Sequence, residues 1–322
     1  MNKIFVFTDT HFGVRKNSMI WWNSQKRFLR DQLIPDLKKS PGSKLFHLGD
    51  VFDSRAVLNT YILAEVQNIF KELSELSSEF IIIAGNHDFY SPDSDEFCTL
   101  EQVFGGNPKI KLVTRDIYED DSNNVFVPWF IGERGDMEEL TRKYVGKTIW
   151  AHADLVLNNH INPRTRIYSG HIHTPKFVGP YLKNLGSCYP LNFGDSNQDR
   201  YYYIVDEDSG DIIERVPNRV SIKFWRFSDL RGIEGSVENT EDYIELVLTP
   251  DYVTSHVDDI RTIRGLFKNT RISFAQDLNV IKNKLDNENN SNEYFDLDDI
   301  IQNLIPENLQ EKYEIIKESI PI

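Results

Sequence analysis

Residues 80–88 read Phe-Ile-Ile-Ile-Ala-Gly-Asn-His-Asp. The first five form a short β-branched apolar run without alternation, the pattern of a strand buried on both faces in a parallel sheet. The next four switch abruptly to a glycine and three polar side chains able to hold a metal or a proton. A buried strand ending in such residues points to an α/β sheet, where sites collect at the carboxyl ends of strands. Working outward, the same arrangement recurs four times. Lys3–Phe7 runs into Asp9-Thr-His11, and Ser43–Leu48 into Gly49-Asp50-Val-Phe-Asp53. Thr148–Ala151 runs into His152, and Arg166–Ser169 into Gly170-His171-Ile-His173. Five of the eight histidines fall in these segments, which ties them to one site rather than to scattered surface positions.

Helical spacing over Met19–Lys39 and Leu58–Leu76 separates the first three strands. Further strands are expected at Ile110–Val113, Val125–Val127 and Tyr201–Val205. A Ser209-Gly210-Asp211 turn joins the last of these to Ile212–Val216 as a hairpin. The expected fold class is α/β, a β-sandwich of two sheets flanked by helices. After Pro217 the pattern changes to strands at Ser221–Phe227, Tyr243–Leu248 and Arg271–Phe274, with a helix over Val257–Phe267. That is a small α+β unit. Residues 283–292 are polar and Asn-rich, a linker. Beyond them Leu297, Ile300, Ile301 and Leu304, then Leu309, Tyr313 and Ile316, line apolar faces of two short helices that need a surface to pack on. The expected boundaries are therefore 1–217, 218–281, a linker over 282–293, and 294–322.

The chain of 322 residues carries 36 Lys+Arg against 50 Asp+Glu, a formal charge of −14. Its two cysteines, Cys98 and Cys188, make no disulfide framework or zinc pattern, which suits a reducing, cytoplasmic compartment. No apolar run reaches the ~18 residues of a membrane span, and the N-terminus lacks the layout of a signal peptide. The acidity is unevenly spread. The last 42 residues hold ten acids and four bases, a net of −6. Residues 15–44 hold eight bases and two acids, and residues 215–226 four bases and no acid. A local field that attracts a polyanion is compatible with the acidic total. Trp21 and Trp22, beside Arg15, Lys16, Lys26 and Arg27, read either as core or as a stacking surface. His47 reads as a core or edge histidine.

Imidazole, carboxylate and amide oxygen without thiolate suit a borderline-to-hard divalent metal. Asp9, His11, Asp50, Asn86, His152, His171 and His173 are too many for one ion. They suit two ions about 3.5–4 Å apart sharing a carboxylate, which clamp a phosphate ester and lower the pKa of a bound water. Taken alone, an Asp-x-His is usually accidental and its Asp a helix cap; five such segments in order are not.

That ordered set, D-x-H, G-D, G-N-H-D, H and G-H-x-H, resembles the calcineurin-like metallophosphoesterases. Thr8-Asp-Thr-His-Phe-Gly13 and Gly49-Asp-Val-Phe-Asp53 resemble the SbcD-type DNA repair nucleases, and among those the phage recombination endonuclease subunits. Phe126-Val-Pro-Trp129 and Gly186-Ser-Cys-Tyr-Pro190 are similar to segments of that branch more weakly. The resemblance implies one ion on Asp9, His11, Asp50 and His173, and a second on Asp50, Asn86, His152 and His171. The ions it implies are Mn²⁺, with Mg²⁺ as the alternative. It gives His87 the role of protonating the leaving 3′ oxygen or of holding the scissile phosphate. It puts Asp53 where other members have a catalytic histidine, so that Asp53 either orients His87 or caps the next helix. It further implies a DNA exo- and endonuclease, with residues 218–281 a DNA-contacting capping domain. The C-terminal helices would dock an SMC-like ABC ATPase, the nuclease subunit would pair as a homodimer, and the setting would be the cytoplasm of an infected host cell. Two other readings stand beside this one: a metallophosphoesterase acting on proteins, nucleotides or lipids, and a non-catalytic DNA-end-binding scaffold.

Overall fold

A computed structural model describes residues 3–130, 137–154, 164–178 and 181–274. The chain divides into two units, Met1–Ser273 and Phe274–Ile322. The expected linker and C-terminal helices lie outside the described residues.

Strands β1 (Lys3–Phe7), β2 (Lys44–Leu48) and β3 (Glu79–Ile83) lie side by side and parallel. A small hairpin, β4 (Phe89–Ser91) and β5 (Ser94–Cys98), follows β3, and β6 (Ile110–Val113) then pairs parallel with it. The second sheet comprises β7 (Tyr118–Glu119), β8 (Asn124–Val127), β9 (Thr148–His152), β10 (Arg166–Gly170), β11 (Lys176–Val178) and β12 (Leu182–Asn184). Its order is β11-β12-β10-β9-β8-β7, with antiparallel strands only at the two edges. The hairpin β13 (Tyr201–Asp206) and β14 (Ile212–Pro217) returns to the first sheet, beside β1, giving the order β14-β13-β1-β2-β3-β6. A third sheet holds β15 (Phe224–Phe227), β16 (Tyr243–Leu248) and β17 (Thr270–Phe274).

Side-chain alternation builds the layers. Ile4 and Val6, Phe46 and Leu48, and Ile81 and Ile83 face inward, where they meet Phe126, Trp150 and Tyr168 of the second sheet. Phe5 and Phe7, Leu45, and Phe80 and Ile82 face outward, under helices built from Met19–Lys38 and Thr60–Leu76. The first of these changes pitch to a π-helical stretch at Phe28–Leu33 before Pro35. The second starts one residue after Asn59, whose side chain accepts from the N–H groups of Tyr61 and Ile62, an N-cap. Helix Met137–Lys143 covers the outer face of the second sheet through Leu140. The result is the expected α/β sandwich: helices, sheet, sheet, helix.

Trp21 and Trp22 are both buried. Trp22 joins the main core, and Trp21 stacks on Phe224 and Tyr243, at centroid distances of 5.4 and 5.7 Å, fastening the third sheet to the sandwich. The third sheet has its own core of Ile244, Leu246, Ile260, Ile263 and Phe267, closed by helix Val257–Leu266 and by Pro250–Ser255.

Candidate metal centre

The carboxyl ends of β1, β2, β3, β9 and β10 converge at one edge of the sandwich, and all seven candidate donors follow or end these strands. Four of them, Asp9, Asp50, His11 and His171, hold left-handed backbone with φ of 53°, 55°, 42° and 80°. Non-glycine residues hold that region only where their surroundings enforce it, commonly at functional sites. Two glycines make the close approach feasible. A Cβ on Gly49 would stand 2.3 Å from His152 Nδ1, and one on Gly85 would stand 2.2 Å from Asp50 Oδ1.

Asp9, His11 and His173 gather in one group, and Asp50, His152 and His171 in another, with ligand atoms within 4.8 Å of one another in each. His11 Nε2 faces His173 Nε2 at 3.1 Å, and His173 Nε2 is 4.0 Å from Asp9 Oδ1. The Asn86 Oδ1 atom lies 3.2 Å from His152 Nε2 and 3.0 Å from His171 Nδ1. A single oxygen of Asp50, Oδ2, lies 3.6 Å from His11 Nε2 and 3.4 Å from His152 Nε2, between the two groups. His152 Nδ1 donates to the Leu48 carbonyl at 2.7 Å, so that Nε2 is the nitrogen turned toward Asn86 and Asp50.

The electrostatics draw positive charge. Burial opposes a charge on His152, but the neighbouring Asp50 carboxylate outweighs it and pushes the imidazole up to about 9. Burial likewise opposes a charge on His11, and Asp53 and Asp50 raise it above the ordinary histidine value. Burial would raise Asp50, yet His152, His11 and His87 hold it well below the usual carboxylate range. His171 and His173 are lowered, chiefly by burial. A cluster of buried and half-buried carboxylate, amide-oxygen and imidazole atoms that face one another fits divalent cations of the kind inferred from the donor types.

His87 and Asp53 sit on the same rim. His87 Nδ1 donates to the backbone carbonyl of Asp53 at 2.7 Å, leaving Nε2 for the site. The Asp53 carboxylate instead faces His11, with Oδ1 3.5 Å from Nδ1. Asp53 caps no helix, since the next one is capped by Asn59. His47 is fully buried outside the cluster, with its Nε2 3.0 Å from the Thr10 hydroxyl.

Several residues that hold this cluster escaped the sequence reading. Asp88 is fully buried and accepts from the backbone N–H groups of Gly85, Asp50 and Val51 at 2.8, 3.0 and 3.0 Å. Burial and the Asp50 charge push it up to about 7, against the pull of those N–H donors. Arg55 donates from Nε and Nη2 to the Asn86 carbonyl at 3.1 and 2.9 Å. Buried Arg200 donates to the His173 carbonyl at 2.7 Å and pairs with Asp195 at 2.5 Å. The Trp129 ring lies 4.8 Å from that of His171. Two of these had a signal: Asp88 as the last residue of G-N-H-D, and Trp129 in the Phe126–Trp129 segment.

A family model described as calcineurin-like phosphoesterase matches residues 2–186, more than half of the chain and all five donor segments. The chain belongs to the calcineurin-like phosphoesterase family. Such phosphoesterases are hydrolases that work with two divalent metal ions, and the His and Asp groups above fit a pair. Solved structures similar to this calcineurin-like phosphoesterase include a nuclease, MPE, from Pseudomonas putida. It is 15% identical, with 68% of this chain and 74% of that chain covered and a TM-score of 0.31. A dimetal phosphatase from Danio rerio is 10% identical, with coverage of 68% and 99% and a TM-score of 0.42. A protein of unknown function from Aquifex aeolicus is 20% identical, with coverage of 52% and 88% and a TM-score of 0.27. No curated protein matches the phosphoesterase at a significant level. No helix among its described residues is long and apolar enough to cross a membrane.

Proposed function

We propose that this phosphoesterase is a two-metal DNA phosphodiesterase with exonuclease and endonuclease activity. The observation that carries the two-metal part is the position of Asp50 Oδ2, within 3.6 Å of an imidazole from each donor group. Asp9, His11, Asp50 and His173 would hold one ion, and Asp50, Asn86, His152 and His171 the other, with Mn²⁺ the ion and Mg²⁺ its alternative. When bound, such a pair polarises the phosphodiester and supplies a nucleophile at neutral pH. The chain's own residues do the rest. His87, fixed at Nδ1 on the Asp53 carbonyl, gives a proton from Nε2 to the leaving 3′ oxygen. Arg55 and Asp88 hold Asn86 and Asp50 by their backbones, so that the donors are set before substrate arrives.

DNA is favoured over a phosphoprotein by the second motif, which ends Asp53-Ser-Arg55 rather than in the Asp-Arg-Gly of the protein-phosphatase branch. The same motif resemblance supports a role in recombination and double-strand-break repair. In that role the chain pairs as a homodimer and residues 294–322 dock an SMC-like ABC ATPase, in the cytoplasm of an infected host cell. The test is cleavage of end-labelled duplex and hairpin DNA in Mn²⁺, with and without the ATPase. Metal-dependent cutting of both substrates is expected. Hydrolysis of a phosphomonoester but of neither DNA would contradict the proposal.

A further inference from the structure

A cleft of about 560 Å³ opens between the loop after β1, the turn at residues 192–194 and the β17 side of the third sheet. That volume suits a ligand of nucleotide size. Among the described residues that line it there are three cations, Arg15, Lys268 and Arg271, and no carboxylate, in a chain of charge −14.

The cations are not equivalent. Arg271 is committed: Nε and Nη2 both reach Glu245 Oε1, at 3.1 and 2.7 Å, and its guanidinium lies 3.8 Å from the Phe193 ring centroid. One of its two hydrogen-bonding edges is therefore spent on Glu245, and it also offers a flat face backed by an aromatic ring, a surface on which a base stacks. Lys268 has no partner among the described residues and is exposed. Arg15 spends one nitrogen on the Leu191 carbonyl, at 3.3 Å, lies over the Trp21 ring at 5.0 Å, and meets no carboxylate among the described residues. These two are the charges available to a phosphate. Two amides complete the lining with opposite polarity. Asn192 uses its oxygen on the Gly194 N–H at 2.6 Å, which leaves its NH₂ as a donor. Asn269 uses its NH₂ on the Glu241 carbonyl at 2.8 Å, which leaves its oxygen as an acceptor. A planar cationic platform, a donor, an acceptor and two cations without a carboxylate partner among the described residues are the complement of a base joined to a phosphate.

The geometry points to a nucleoside-phosphate site in this cleft, distinct from the metal centre. The ligand is a free nucleotide or the terminal nucleotide of a strand. The cleft-lining turn at residues 192–194 lies in sequence between Ser187 and Arg200, which both donate to the His173 carbonyl, at 3.0 and 2.7 Å.

The test is calorimetric titration of the full chain in excess EDTA, where bound metal cannot hold phosphate. Three probes are used: adenosine 5′-monophosphate, inorganic phosphate, and a single-stranded oligonucleotide carrying a terminal phosphate. The nucleotide should bind saturably, and inorganic phosphate about tenfold or more weakly. Lys268→Gln, at an exposed position whose loss breaks no contact, should weaken both by about tenfold, the effect of one charged hydrogen bond. Arg271→Gln should weaken the nucleotide while sparing inorganic phosphate. Competition by the oligonucleotide assigns the site to a strand end, and its failure to compete assigns it to a free nucleotide. No binding in EDTA, or binding that Lys268→Gln leaves unchanged, overturns the assignment. This result and the DNA-cleavage result are independent, so that either proposal can fail alone.

Discussion

The carboxylate of Asp88 accepts the backbone N–H of Asp50 at 3.0 Å, joining the loop after β2 to the loop after β3. The same side chain takes the N–H groups of Val51 and Gly85, in a site with no access to water. Asp88 binds no candidate metal, yet it fixes the two loops that supply Asp50 and Asn86.

Asp88→Ala would leave those donors unpaired in the interior. We expect a loss of about 3 kcal/mol of stability in urea unfolding, within the range for stranded buried polar groups. Mn²⁺ affinity should fall with it. Unchanged stability would mean that other groups satisfy these N–H bonds.

His87 separates binding from chemistry. His87→Ala should keep both metals and DNA affinity, measured by calorimetry and anisotropy, while cleavage falls about 10²–10⁴-fold, as for loss of a general acid. Parallel loss of metal and cleavage would make His87 a ligand instead.

His47 sets a pH dependence. Burial, helped by the neighbouring His152, depresses it from 6.5 to about 3. The folded protein therefore keeps it neutral while the unfolded chain takes up a proton near pH 6.5. Stability present above pH 6.5 is lost as pH falls toward 3, by up to about 1.4 kcal/mol per pH unit from this group. His47→Gln, which can still donate to the Thr10 hydroxyl, should melt with a smaller drop between pH 7 and pH 5 than the parent. Equal drops would assign the acid sensitivity to other groups.

Much of this was legible in the sequence. The runs at Lys3–Phe7 and Phe80–Ala84 announce buried parallel strands because nothing in them alternates, and the strands lie within one residue of those bounds. The candidate donors were legible because Asp, Asn and His stand at or just after the ends of such runs. The hairpin of β4 and β5 was not, since Ser-Pro-Asp-Ser-Asp has little strand propensity and the pair is held from outside, by Arg115 on the Asp95 and Glu96 carbonyls. Arg55, and Asp88 in its bonds to Asp50 and Val51, act on backbone atoms 31 to 38 residues away, a relation that no local pattern encodes. The left-handed backbone at Asp9, His11 and Asp50 is equally silent, because it comes from the packed loops rather than from residue type.

The central claim is that Asp50 serves two ions, and anomalous scattering from Mn²⁺-soaked crystals tests it most directly. The parent should show two peaks, one at Asp9, His11 and His173 and one at Asn86, His152 and His171. His173→Ala should dim the first more than the second, and Asp50→Asn should dim both. Two peaks at full occupancy in Asp50→Asn would contradict the account.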